Sequence, residues 1–275
     1  MKKSIYAIIL IVIAVCFYFY ETHRNEEASQ HILEQENQQT INDQDVDGFK
    51  PLSRKDFLPS SNNQVIHHST YSLSYSEKHE QAEWTAHVLR ESDITNNNFK
   101  RPYFEIDNSV KTGAAHWRNY KKSGYDRGHL VPAGDRTGSK KVYEETFLTS
   151  NISPQEHEFN AGIWNRLEQK TRYYAKRYDE LYVVTGPIFK GNMDEIGTEN
   201  VTVPSAFYKI LYKQDKNGNE KILAFLMPHK ASSKPIYDYV TSVDEIEKQT
   251  GIDFFSQIPD HVENELEASN SSKGW

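Results

Sequence analysis

The amino-acid sequence predicts an α+β domain in which strands outnumber helices, and three observations support this class. Residues 71–76 alternate at period two and lead through a polar turn to a second apolar stretch at 83–89, which is the pattern of a β-hairpin. The dipeptide Asn217-Gly218 lies between two further apolar stretches and favours a tight hairpin turn. Residues 160–178 contain helix-forming residues and no proline, which predicts the clearest helix of the chain.

The first 20 residues have the pattern of a membrane-targeting segment. Lys2 and Lys3 precede an apolar run of 16 residues, 5–20, a length between that of a signal-peptide core and a membrane span of about 20 residues. The run ends in four aromatic residues, which suit a membrane interface, and it lacks a convincing cleavage site. We therefore expect residues 1–20 to form an uncleaved anchor that places the rest of the chain in the periplasm or outside the cell. Secretion after signal cleavage is the alternative.

Three regions follow this anchor. Residues 21–61 are rich in Glu, Gln, Asn and Asp and have few large apolar side chains, so we expect a disordered polar tether. Residues 62–260 are expected to form one folded domain, and residues 261–275 a flexible tail. Short patterns predict these further elements of the domain: an extended segment at 101–107, an irregular or weakly helical segment at 114–122, strands at 181–187, 206–214 and 221–227, and a helix at 243–250.

Composition excludes some kinds of site and leaves others open. Cys16 is the single cysteine, so an intramolecular disulfide and a cysteine-based zinc cluster are both excluded. The net charge of −7 is unevenly distributed, because residues 100–178 hold 15 Lys/Arg and 9 Asp/Glu, a local net charge of +6, and the remainder carries −13. A basic segment of this kind suits a nucleic-acid partner, although a solvated surface of mixed charge is the alternative.

Three motifs in this basic segment carry the residue types of phosphodiester chemistry. They are Asp126-Arg127-Gly128-His129, then Asn151-Ile152-Ser153-Pro154-Gln155, then Asn160-x-Gly162-x-Trp164-x-x-Leu167-Glu168. A histidine can take a proton from water, an amide oxygen can hold a hard metal ion, and an arginine can meet phosphate charge. Clustered Asp and Glu residues that would bridge two ions are lacking in these motifs, so a single metal ion is favoured.

Together, in this order and spacing, the motifs resemble those of the DNA/RNA non-specific endonucleases. The resemblance covers residues 59–259 as one domain. It implies a ββα-metal fold, in which two strands present the histidine and a crossing helix presents the metal ligand. It also implies a Mg²⁺-dependent endonuclease that hydrolyses DNA and RNA and leaves 5′-phosphate ends.

The resemblance assigns roles to individual residues. His129 would be the general base, and an unperturbed imidazole already titrates near working pH. Asn160 would be the one direct protein ligand of a single Mg²⁺, with Mn²⁺ as a substitute; a helix N-cap is its alternative role. Glu168 would reach the water shell of the metal, and Arg127 and Arg101 would stabilise phosphate charge. Asn151 would buttress the site.

Four further basic residues are expected to contact nucleic acid: Arg136, Lys140, Lys141 and Arg172. The first three would follow the backbone without reading sequence, whereas Arg172 lies four residues after Glu168 and could instead pair with it. A solvated surface is the alternative for these charges.

Expected partners are DNA, RNA and, through residues 1–20, a membrane; a homodimer and an inhibitor protein remain open. Two other functions also stay open: a catalytically silent nucleic-acid-binding module at a membrane, and a hydrolase of other phosphodiesters or cell-surface polymers.

Overall fold

A computed structural model describes residues 57–215 and 218–275. The described residues form eleven strands: β1 Gln64–His67, β2 Tyr71–Ser76, β3 Gln81–Arg90, β4 Asp126–His129, β5 Ile152–Gln155, β6 Glu180–Ile188, β7 Glu195–Ile196, β8 Val201–Thr202, β9 Ala206–Gln214, β10 Glu220–Pro228 and β11 Val240–Thr241. They also form four α-helices: α1 Lys140–Glu145, α2 Asn165–Tyr178, α3 Val243–Thr250 and α4 Asp260–Glu267. The predicted α+β class is confirmed.

The centre of the fold is a seven-stranded antiparallel sheet with the order β1-β2-β3-β6-β9-β10-β11. Successive side chains of a strand point to opposite faces, and both faces of this sheet are covered. In β6, Val183 packs in one apolar core with Leu167 of α2, whereas Val184 packs in a second core with Ile246 of α3. Burial on both faces explains why β6 reads as a continuous apolar run rather than an alternating one.

The predicted hairpins are confirmed. Strands β2 and β3 pair in antiparallel register on either side of the polar turn at 77–80. Strands β9 and β10 pair from Gln214↔Glu220 onwards, so they flank the expected Asn-Gly turn, although Lys216 and Asn217 lie outside the described residues. The strand expected at 181–187 and the helix expected at 243–250 are also present, as β6 and α3.

The long helix begins later than the sequence predicts. Residues Phe159–Trp164 form a π-helical turn, and regular α-helix starts only at Asn165. The break lies at Gly162, whose φ of −97° and ψ of −110° are outside the helical region. Asn160 therefore lies in the irregular turn before α2 and not within the regular α-helix.

Two expected boundaries are wrong. Residues 261–275 are not a loose tail, because α4 covers Asp260–Glu267 and the Trp275 ring is buried against Tyr174 and Tyr178. The fold also extends upstream of residue 62, since Phe57 is buried and its carbonyl accepts a hydrogen bond from the hydroxyl of Tyr182 at 2.5 Å. The extended segment expected at 101–107 is represented by a single bridge, between Glu105 and Leu148.

The anchor expected at residues 1–20, and the tether up to residue 56, lie outside the described residues. Within the described ranges, no helix has the length and apolar character needed to cross a membrane.

Candidate active site

The site is built on a separate two-stranded ribbon, β4 and β5. The register pairs Gly128 with Ser153 and His129 with Ile152. Because side chains alternate along a strand, Arg127 and His129 share one face of the ribbon. A Cβ atom added at Gly128 would lie on the other face, where it would clash with the side chain of Gln155. Glycine is therefore required between the arginine and the histidine.

Asn151 fixes the backbone that follows His129. Its side chain is fully buried. Its Oδ1 accepts a hydrogen bond from the backbone N–H of Val131 at 2.9 Å. Its Nδ2 donates to the carbonyls of Val131 at 3.0 Å and Thr146 at 2.9 Å. Two of these hydrogen bonds hold Val131, two residues after the histidine, and the third ties the same amide to Thr146.

The imidazole of His129 lies between two phenylalanines. Its ring centroid is 4.9 Å from that of Phe147, in an edge-on contact, and 5.5 Å from that of Phe104. Burial, together with the positive charge of Arg101, lowers the pKa of His129 to about 3. The ring is therefore neutral at physiological pH and has one nitrogen that can accept a proton. Its Nε2 is buried and has no hydrogen-bond partner among the described residues.

Both arginines expected at the site lie over the same aromatic ring. The guanidinium carbon of Arg127 is 5.0 Å from the centroid of Phe104, and that of Arg101 is 5.8 Å from it. Arg101 also lies 5.4 Å from the centroid of Phe147. Stacking of this kind orients the planar guanidinium groups while leaving their N–H donors for an anion. The structure thus brings Arg101, distant in sequence from the first motif, next to His129.

Asn160 is oriented by an acidic residue of the same motif as His129. Its Nδ2 donates to Oδ2 of Asp126 at 3.0 Å, and this carboxylate oxygen also lies 2.9 Å from Nδ1 of His157. Since the amide nitrogen is used in this way, Oδ1 of Asn160 has no protein donor in the part of the chain that the structure describes. The alternative role of N-cap is wrong, because Trp164 holds that position in α2.

A free amide oxygen fits the requirements of Mg²⁺. This ion prefers oxygen ligands, gives up its waters reluctantly and binds through few protein groups. The Asp126 hydrogen bond fixes which atom of the amide faces outward, as an outer-shell partner does for a metal ligand. We therefore find that Asn160 fits the ion implied by the fold class.

Glu168, on the first turn of α2, is partly buried, and the charge of a fully buried lysine, Lys209, acts on it. Burial raises the pKa of Glu168 to about 7, against the lowering effect of Lys209 and Arg172. Burial lowers the pKa of Lys209 to about 8. The Nζ of Lys209 donates to Oγ1 of Thr185 at 2.6 Å and lies 5.1 Å from the ring centroid of Trp164. The buried ammonium group of Lys209 thus favours the ionised form of Glu168, the expected catalytic carboxylate.

Arg172 forms its ion pair with Asp135 rather than with Glu168. Nη1 of Arg172 donates to Oδ1 of Asp135 at 2.8 Å. The other oxygen of Asp135 lies 3.6 Å from Nε2 of His87, which is also buried. The predicted pair with Glu168 four residues earlier is therefore wrong, while a contact of the remaining N–H groups with phosphate stays a prediction.

The expected surface position of Arg136 is also wrong. Its side chain is 1% exposed, and its Nη2 donates to the carbonyl of Val88 at 2.9 Å. A charge enclosed in this way cannot follow a nucleic-acid backbone. Lys140 and Lys141, in contrast, are exposed on α1, and Lys140 lies 3.4 Å from Glu144. Their contact with nucleic acid stays a prediction.

Sequence reasoning missed four residues that shape the site, namely Phe104, Phe147, Asp135 and Lys209, and it gave Asp126 no role although it named the motif that contains it. The two phenylalanines have no motif signal. Lys209 did leave a signal, because it is a charged residue inside the otherwise apolar run 206–212.

An antiparallel ribbon that presents a histidine, followed by a helix with an asparagine in the turn before it, is typical of the ββα-metal class of folds. Comparisons with known proteins agree. The crystal structure titled "Crystal structure of the EndoG/EndoGI complex: Mechanism of EndoG inhibition" superposes with a TM-score of 0.70 at 29% identity, covering 77% of this chain and 95% of that one.

The model of the DNA/RNA non-specific endonuclease family matches residues 49–261, and the chain belongs to this family. Mitochondrial nuclease EXOG of Danio rerio is 33% identical over 217 residues, which are 73% of this chain and 63% of that protein. A nuclease of Nostoc sp. is 31% identical over 220 residues, with 75% and 78% covered. The chain thus spans a little under two thirds of the length of the EXOG relative.

Proposed function

We propose that this protein is a sugar-non-specific endonuclease that hydrolyses phosphodiester bonds of DNA and RNA and leaves 5′-phosphate ends. One observation carries the proposal: a neutral histidine and Arg127 on one ribbon, Arg101 stacked on the same phenylalanine as Arg127, and an oriented amide oxygen in the turn before α2 all belong to one site. This set supplies a base, anion binding and a metal ligand, which are the parts that phosphodiester hydrolysis needs.

His129 takes the proton of the attacking water in this scheme. The low pKa keeps the ring neutral, so it can accept a proton without first losing one, but it also makes the free ring a weaker base than the ordinary imidazole that the sequence predicts. Because Nε2 is buried, we assign the proton-accepting role to Nδ1. Asn151 holds the backbone after the histidine, so the ring keeps its orientation toward the substrate.

Arg101 and Arg127 bind the phosphate oxygens, and Asn160 holds a single Mg²⁺, for which Mn²⁺ can substitute. The ion, when bound, supplies positive charge that offsets the charge developing on the phosphate. Glu168 orients water near that ion in its ionised form. Lys209 supports this form, because its positive charge opposes the rise in the Glu168 pKa that burial causes.

The surface around these residues fits a substrate that is recognised without regard to sequence. Tyr103, next to Phe104, is 93% exposed and offers a ring on which any base can stack. Lys140 and Lys141 add positive charge that contacts phosphates rather than base edges.

A plasmid-nicking assay tests the proposal. We expect the purified chain to nick and then linearise plasmid and to degrade RNA in Mg²⁺, and to lose both activities in EDTA. Replacing the base should cost ~10²–10⁴ in rate, so His129→Ala should be almost inactive while its affinity for DNA is retained. His67→Ala, at an exposed histidine, is the matched control and should be unaffected. Wild-type turnover by His129→Ala would contradict the assignment.

We also propose that residues 1–20 anchor the protein in a membrane, with the domain in the periplasm or outside the cell on the tether that follows. Lys2 and Lys3 beside the apolar run 5–20 support this orientation. N-terminal sequencing of the protein from its native host tests it, because a mature terminus beyond Tyr20 would mean release instead. Protease treatment of spheroplasts tests the side, since complete protection of the domain would contradict it.

A further inference from the structure

The face of the central sheet opposite to α2 carries a cluster of carboxylates. Asp244 and Glu247 of α3 and Glu267 of α4 each offer one oxygen, and these three atoms lie within 4.8 Å of one another. Helices α3 and α4 pack on the second apolar core, which includes Ile246, whereas the candidate active site lies with α2 on the first. The cluster is therefore separate from the residues assigned to phosphodiester hydrolysis.

Glu267 is buried at the centre of this cluster. Its side chain is 6% exposed, and its Oε1 is buried with no hydrogen-bond donor in the described ranges. A buried carboxylate oxygen without a donor is costly, because water no longer solvates it and no protein group replaces the water. Glu267 is also the last residue of α4, where the helix dipole disfavours negative charge.

The charges that act most strongly on Glu267 are all negative. They come from Glu247, Glu263, Asp244 and Asp253. Glu247 is held in place by the backbone N–H of Phe254, which donates to its Oε1 at 2.8 Å. Glu263 has a buried oxygen of its own that lacks a donor within the described part of the chain. Glu267 therefore lies among negative charges, and no basic residue is among the charges that act most strongly on it.

We propose that this cluster is a Ca²⁺ site that joins α3 to α4. Its donors are all carboxylate oxygens, which suit a hard cation and exclude sites built on Cys or His. Oxygens on opposite sides of a Ca²⁺ are about 4.6–5.2 Å apart, since each bond is 2.3–2.6 Å long. Three oxygens within 4.8 Å of one another fit this span. Calcium also accepts irregular geometry, as expected where two helices supply the ligands.

The ion would stabilise the C-terminal part of the fold. Helix α4 follows directly after the segment 252–258, whose apolar residues fill the second core. Calcium would bind carboxylates of both helices and so offset the repulsion between them. We therefore expect α4 to detach first when calcium is removed. This role is structural and independent of the Mg²⁺ assigned to Asn160.

The experiment uses the full chain with the single substitution Asn160→Ala, which removes the ligand assigned to Mg²⁺. Thermal unfolding is followed while CaCl₂ is titrated into protein that was freed of metal with EDTA, and isothermal titration calorimetry counts the ions bound. We expect one Ca²⁺ per chain and a rise in Tm of roughly 5–10 °C at a hundredfold excess over Kd.

Two substitutions on α4 separate the site from general charge effects. Glu267→Gln keeps the shape of the side chain but removes its charge, and should abolish the calcium-dependent shift. Glu265→Gln, at an exposed position of the same helix, should keep the full shift. Because Glu267→Gln could fail to fold, Asp244→Asn on α3 provides a second variant with the same expected loss.

Two results would overturn the site. The first is a Tm of the parent chain that does not respond to calcium; if Glu267→Gln then raises the Tm of the metal-free chain, a proton rather than a cation occupies the cluster. The second is an equal response to calcium in the parent and in Glu267→Gln.

Discussion

Glu168, which is partly buried, and Glu267, which is buried, lie on opposite faces of the central sheet and have opposite surroundings. Burial raises the pKa of each, to about 7 for Glu168 and about 8 for Glu267. Lys209 and Arg172 counter the rise at Glu168, whereas four further carboxylates add to it at Glu267. At Glu168 the loss of hydration is therefore offset by basic residues of the protein. At Glu267 it can be offset only by a bound cation or a proton.

The difference follows from what each site is proposed to do. A carboxylate that orients water beside a catalytic metal has to be ionised without filling the first coordination shell, and a buried lysine behind it achieves this. A carboxylate that binds calcium directly needs no internal cation, because the ion itself is the partner. Nearby basic residues therefore distinguish the proposed catalytic face, where they lower the pKa of Glu168, from the proposed calcium site, where the strongest charges on Glu267 are negative.

Removing the internal cation tests the catalytic half of this comparison. In Lys209→Met the pKa of Glu168 should rise above about 7, because the positive charge of the lysine no longer lowers it. The ionised form needed for activity would then appear only at higher pH. We expect nicking at pH 6.5 to fall at least about tenfold, with partial recovery near pH 9. Initial rates from pH 5.5 to 9.5 give the profile.

Lys221→Met is the control for this profile, because Lys221 is exposed on the neighbouring strand β10. Asp135→Asn should shift the acid limb to lower pH, since the negative charge of Asp135 raises the pKa of Glu168. A uniform loss of rate at every pH in Lys209→Met would mean that the lysine serves packing alone.

Acid should destabilise the catalytic face. Burial lowers the pKa of His87, beside Asp135, to about 4, against an ordinary value of 6.5. In the unfolded chain His87 therefore takes up a proton as the pH falls below 6.5, whereas in the folded chain it does so only near pH 4. The stability contribution is complete above pH 6.5 and is lost as the pH falls through 4, up to about 3 kcal/mol. Urea unfolding of wild type and His87→Gln between pH 4 and 7 measures the difference in slope.

The control for this prediction is His261→Gln, at an exposed position on α4. It should leave the pH dependence of the unfolding free energy unchanged. Equal slopes for wild type and His87→Gln would show that His87 takes up its proton in the folded state as readily as in the unfolded chain.

High pH should destabilise the face of the sheet that carries α3 and α4 when calcium is absent. The folded-state pKa of Glu267, about 8, lies above the ordinary value of 4.5, so the folded chain holds a proton that the unfolded chain releases. Stability present below pH 4.5 is then lost as the pH rises through 8. In EDTA we expect Tm to fall by a few degrees between pH 6 and 9. Saturating calcium should remove most of this slope, and Glu267→Gln should remove it without calcium.

The sequence predicted secondary structure better than the surroundings of the proposed site. The hairpins followed from local patterns, whereas the shared face of Arg127 and His129 is seen only in the structure. Arg136 was misplaced because charge alone suggested a surface, while carbonyl groups such as that of Val88 bind it inside. Such partners come from distant parts of the chain and leave no local pattern.

The C-terminal region shows the same limit. Residues 261–275 are polar and short of apolar side chains, so the sequence suggested a tail. Their order comes from tertiary contacts, with Trp275 against Tyr174 and with Leu266 against the second core. The start of α2 was predicted too early for a related reason, because the backbone of Gly162 leaves the helical region in a way that its neighbours do not reveal.

The most direct test of the proposed nuclease is a Mg²⁺ titration of plasmid nicking by wild type, Asn160→Asp and Asn160→Ala. The amide oxygen of Asn160, set by its hydrogen bond to Asp126, is proposed as the one protein ligand of the ion. Asn160→Asp keeps an oxygen and should retain part of the activity. Asn160→Ala should need much more Mg²⁺ for half-maximal rate and should be far slower at saturation. An unchanged half-saturating Mg²⁺ concentration in Asn160→Ala would contradict the account and place the metal elsewhere.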